Sequence, residues 1–106
     1  MFFINLNFYQ IYQNQRVDQL SLHKKMARQI KLIWDFRGAV AAKTAEHHEI
    51  HLKEYIKIEK LPLNITGFQI INEMHATAFM VVEEENMISV RDALKPHRGE
   101  VYIITN

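Results

Sequence analysis

The chain has 106 residues, of which 48% are hydrophobic and 24% charged, with a formal net charge of +1 and no cysteine. That length fits one domain, and the composition excludes disordered and fibrous classes. The weak net charge argues against a nucleic-acid footprint, the missing cysteines remove disulfides and thiolate chemistry and fit a reducing cytoplasm, and no apolar run approaches the roughly 20 residues a bilayer helix needs.

The first 25 residues differ in kind from the rest. No charged residue occurs between Met1 and Gln15, and Phe2, Phe3, Phe8, Tyr9 and Tyr12 are interspersed with Asn and Gln. A secretory signal would carry a basic start and an unbroken apolar centre, and Asn5, Asn7 and Gln10 interrupt this one. Phe, Ile, Asn, Tyr and Lys are the residues of AT-rich codons, and Met26 stands just before the first clear strand. The expectation is an N-terminal extension over 1–27, read through from an over-long gene assignment whose true start is Met26. A genuine added strand or tail is the other reading.

From residue 28 to 106 the apolar spacing runs strand, helix, strand, strand, short helix, strand. Gln29–Phe36 alternates Ile30, Leu32, Trp34 and Phe36 against Gln29, Lys31, Ile33 and Asp35, a period of two. Arg37 and Gly38 turn into a helix predicted from Ala39 to Lys60 and ended by Pro62, Asn64 and Gly67. On it Ala41, Ala45, His48, Leu52, Tyr55 and Ile56 share one stripe, with Lys43, His47, Ile50, Glu54 and Lys57 opposite. Phe68–Met74 and Ala76–Glu83 form a hairpin around Met74 and His75. Glu84 and Glu85 lead, with Asn86 as cap, into a short helix from Met87 to Lys95, closed by Pro96 and Gly99. Glu100–Thr105 is the last strand.

This order gives an α+β, ferredoxin-like βαββαβ fold: a four-stranded antiparallel sheet with two helices on one face. Leu32, Ile33 and Trp34, and likewise Phe79, Met80, Val81 and Val82, are apolar at consecutive positions, so both faces of the central strands avoid water. Two helices cover only one face. The expectation is a homodimer formed through the other.

In element order, in its long first and short second helix and in its two-sided apolar centre, the stretch 28–106 resembles the dimeric α+β barrel superfamily. That resemblance implies a barrel of two sheets and a pocket between the sheet and helices of each protomer. Cofactor-free antibiotic-biosynthesis-type monooxygenases, haem-degrading enzymes, small isomerases and ligand-sensing modules belong to it. The haem-degrading group uses an Asn, a Trp and a His, for which Trp34, Asn72 and His97 are matches by residue type alone, without the order and spacing that would carry over a role.

No nucleophile elbow, glycine-rich phosphate loop or thiolate array is present, and no cofactor is implied. His48 and Tyr55 on the buried stripe are the candidate catalytic pair, an imidazole titrating near neutral pH and a phenolic donor. Trp34, Asn72, His75 and His97 are the candidate ligand contacts. Their structural readings are core filling for Trp34 and solvated turns for His75 and His97. His47, His51 and Glu54 lie at i, i+4 and i+7, a spacing that offers two imidazoles and a carboxylate to Zn²⁺ or Ni²⁺, against a plain hydrated helix face. The metalloprotease pattern fails because His48 stands where it needs Glu. Asp35 and Asp92 are the expected salt-bridge partners of Arg37 and Arg91.

The function expected is thus a cytoplasmic homodimer that binds a small apolar or aromatic molecule between sheet and helices, with cofactor-free oxygenase or isomerase chemistry open. A transition-metal-binding or sensing module and a non-catalytic dimerisation domain are the alternatives. Neither nucleic acid nor membrane is an expected partner.

Overall fold

A computed structural model describes residues 5–6 and 28–103 of the chain. The elements are β1 (Asn5–Leu6), β2 (Gln29–Arg37), α1 (Ala41–Glu59), β3 (Ile65–Asn72), β4 (His75–Glu83), a 3₁₀ turn (Glu84–Asn86), α2 (Met87–Leu94) and β5 (Arg98–Tyr102). Met26 and the rest of the extension, except Asn5 and Leu6, lie outside the described residues, as does Thr105.

The fold is α+β, an antiparallel sheet with two helices, compatible with a ferredoxin-like layout. Strands β5, β2, β4 and β3 lie side by side in that order, every neighbouring pair antiparallel, with β2 and β4 central. A fifth, two-residue strand adds to the β5 edge, Asn5 opposite Glu100 and Leu6 opposite Gly99, so the whole sheet departs from the standard four-strand order.

Alternation along β2 and β4 sorts their residues by face. Ile30, Leu32 and Trp34 register with Val82, Met80 and Ala78, and all six are buried in one core with Ala41, Ala45, Leu52 and Ile56 of α1 and Met87 and Val90 of α2. On the second face Ile33 pairs with Phe79 and Lys31 with Val81. Ile33 and Val81 on this face keep only 4% and 1% of their surface in the single chain. Exposed apolar residues cluster along the outer strand β3 and the hairpin tip beyond it, where Phe68 is 39%, Ile70 58%, Ile71 48% and Met74 54% exposed, and others, among them Val40, Ile50 and Ile58, stand at and along α1.

Several boundaries move, each for a local reason. Helix α1 ends before Pro62: Lys60 adopts the left-handed conformation, its N–H reaches Lys57 O, and the N–H of Leu61 reaches Ile56 O, the paired bonds of a Schellman stop. Gly67, expected to help end that helix, lies inside β3, and Gly99, expected to close the second helix, lies inside β5. The Phe79 ring packs over Gly67, where a Cβ would come within 2.6 Å of it. Asn86 makes no side-chain cap bond, and its carbonyl instead accepts from the Ser89 hydroxyl. The turn after β2 needs Gly38, whose φ of +114° is foreign to other residues and whose N–H is tied to Met74 O in the hairpin.

Candidate functional site

The sheet separates the predicted site residues. Trp34, His48 and Tyr55 share the helix-covered side. Trp34 is buried on β2, and its indole N–H donates to Leu94 O at 2.9 Å, satisfying one of the carbonyls that the last turn of α2 leaves without an intrahelical partner. His48 descends from α1 onto this surface, its ring 4.8 Å from that of Trp34 and 5.4 Å, edge-on, from that of Phe36. The His48 Nε2 is buried without a hydrogen-bond partner. Burial, followed by the nearby His51 and His97, holds the imidazole below its usual range and so keeps it neutral.

Tyr55 is half-buried against the same core, and burial and then Glu59 push its phenol up. It stands seven residues from His48, about 10 Å along the helix axis, with Leu52 between them on the stripe. The two share one face of the helix.

Of the remaining ligand candidates, Asn72 and His75 lie away from this seam, whereas His97 is near enough to act on the His48 imidazole. Asn72 is exposed at the end of β3, where its side-chain oxygen accepts from Met74 N–H at 2.8 Å and shapes the hairpin turn. His75 opens β4 on the second face and donates from Nε2 to Asp35 Oδ1 at 2.8 Å. His97 accepts at Nδ1 from the Asp35 backbone N–H at 2.7 Å, which places its own proton on Nε2.

Asp35 is the hub of a network that sequence reading missed. Arg98 grips its carboxylate through Nε at 2.9 Å and Nη2 at 3.2 Å, and reaches Glu100 through Nη1 at 3.3 Å. The Arg98 bond, followed in favourable effect by His75, holds the Asp35 carboxyl down to about 2. Burial pushes Glu100 up, against the pull of Lys31 and Arg98. The expected Arg37–Asp35 pair is replaced by Arg98–Asp35: Arg98 registers with Ile33 on the adjacent strand, two residues from Asp35 and on the same face of the sheet. Arg91–Asp92 forms as expected, at 2.9 Å. The Asp35 network fastens β2, β4 and β5 together. The only sequence signal for it was four charged or imidazole residues, Asp35, His75, Arg98 and Glu100, spread over three strands, which acquire meaning once the register is known.

On α1, His47, His51 and Glu54 are all exposed, and His51 Nδ1 lies 3.4 Å from Glu54 Oε1. Among the described residues no group of three or more His, Cys, Asp or Glu is disposed to hold a metal ion. Also among them, no helix is long and apolar enough to cross a membrane. An open cleft of about 850 Å³ lies between the second half of α1 and the start of β3, with Ile56, Leu61 and Ile65 in its walls and Lys53, Lys57 and Lys60 among its polar residues. Glu49 crosses one end of it, accepting from the Thr66 hydroxyl at 2.9 Å and facing Lys53 at 3.6 Å.

Comparison of the chain with protein-family models, with curated proteins and with solved structures finds no match.

Proposed function

We propose that the protein binds a small aromatic or apolar molecule in the seam between α1 and the sheet, beside Trp34, Phe36 and His48, with the His48 imidazole as its polar anchor. One observation carries this reading: the buried, unpartnered Nε2 of His48. A buried polar atom without a partner costs about 1–3 kcal/mol, and such atoms are few in folded proteins, concentrating where a ligand, a water or a reaction supplies the missing bond. The surroundings match an aromatic guest, because two rings already lie against the imidazole. A neutral imidazole donates or accepts according to its tautomer, which suits a phenol, a carbonyl or a heteroaromatic nitrogen. Binding is the primary role in this reading, and any catalysis would consist of moving a proton at Nε2.

The test is a thermal-shift screen of the full chain against aromatic and heteroaromatic compounds, followed by nitrogen-detected imidazole NMR on hits. A genuine ligand raises the melting temperature of the wild type, moves the His48 Nε2 resonance and loses its effect in His48→Leu. The proposal fails if no compound stabilises the protein, or if hits act equally on wild type and His48→Leu.

A further inference from the structure

The outer strand β3 ends the sheet, and among the described residues no strand pairs with its free side. Its sequence, ITGFQIIN, carries no charge, and five consecutive residues, Phe68–Asn72, are exposed. Proteins protect such an edge with lysine, proline, a bulge or a covering element, because its unpaired N–H and C=O groups template another strand. Here lysine and proline are absent from β3, and the one irregularity, between Ile70 and Asn72, lies at the hairpin end and leaves Ile65–Ile70 in regular register with β4. The opposite edge of the sheet is occupied, since β1 pairs there with β5.

We infer that β3 is a self-association edge, at which two copies of this chain pair antiparallel and join their sheets. An uncharged strand is its own complement, and a chain of net charge +1 meets little repulsion from a second copy. A two-fold axis normal to the sheet keeps both helix layers on one side. Phe68 and Ile70, which register with Ala78 and Ala76 on that side, then face the same residues of the other copy across the seam. The exposed parts of Phe68, Ile70, Ile71 and Met74 amount to roughly 400 Å² by ordinary side-chain sizes. A stable interface buries about 800 Å² per partner, so side chains supply about half and the eight-residue backbone edge adds to it. That balance describes a concentration-dependent dimer rather than an obligate one. It differs from a face-to-face dimer because the second face already has its central residues buried, and it is independent of ligand binding at His48.

Sedimentation of the full chain across the micromolar range tests the inference, with Ile70→Lys and Gln69→Lys as edge variants and Ile58→Lys, on the exposed side of α1, as the control. The wild type is expected to shift from monomer to dimer, both edge variants to raise the dissociation constant about tenfold or more, and the control to match the wild type. Amide exchange at Phe68–Ile71 is expected to slow as concentration rises. A wild type that stays monomeric throughout the range overturns the inference. So does a dimer of wild-type affinity in both edge variants.

Discussion

At the scale of single residues, His48 and Trp34 show two outcomes of burying a polar ring. Trp34 hides an indole whose N–H ends on a helix-terminal carbonyl, so its polarity stabilises the junction of β2 and α2. His48 hides an imidazole nitrogen that ends on nothing. Without a ligand, His48→Leu is therefore expected to leave the protein as stable as the wild type or up to about 1 kcal/mol more stable, measured by denaturant unfolding near pH 7.5. The same side chain makes stability depend on pH. Because burial depresses the folded-state value, the unfolded chain takes up the proton first. The stability contribution of a neutral His48 is complete above the ordinary imidazole value near 6.5 and falls as pH drops below it. His48→Leu is expected to flatten that part of the profile, and an unchanged slope in the variant would assign it to other groups.

Two positions carry testable consequences for whole elements. Helices α1 and α2 each stop on a lysine in the left-handed conformation, Lys60 at φ 55° and Lys95 at φ 53°. A side chain is strained there and glycine is not, so Lys60→Gly is expected to raise stability by about 0.5–1 kcal/mol, read as a higher denaturant midpoint at constant slope. In β3 the opposite holds. Gly67 lets the Phe79 ring lie against the strand backbone, with Lys31 Nζ 4.4 Å from the ring centroid. A methyl group at 67 forces the ring aside, and Gly67→Ala is expected to cost about 1–3 kcal/mol. If Gly67→Ala proves neutral, the ring can swing away without loss and the stacking is not a constraint.

At the scale of the molecule, the Asp35 network ties the three strands β2, β4 and β5 and sets the acid limit. The Asp35 carboxyl is held at about 2 against an ordinary 3.8. Its contribution is therefore complete above about pH 4 and is lost as pH falls toward 2, amounting to about 1–2 kcal/mol after allowance for partial exposure. Asp35→Asn is expected to lose that amount at neutral pH and to unfold with a shallower dependence between pH 4 and 2. An acid profile identical to the wild type would remove Asp35 as its cause.

The period-two and helical patterns of the chain determined that Gln29–Phe36 is a strand, that Ala41, Ala45, Leu52 and Ile56 turn inward, and that β3 and β4 form a hairpin, because these follow from how an extended or helical backbone aims successive side chains. The same patterns placed His48 toward the sheet, but they could not show that its Nε2 has no partner, since that depends on which rings from β2 lie beneath it. Pairing Asp35 with Arg98 rather than Arg37 required the register of β5 against β2, and the burial of Ile33 and Val81 emerges only in the folded sheet. Local alternation sets the direction of a side chain, whereas its neighbours 40 or 60 residues away in sequence are chosen only when the strands come together.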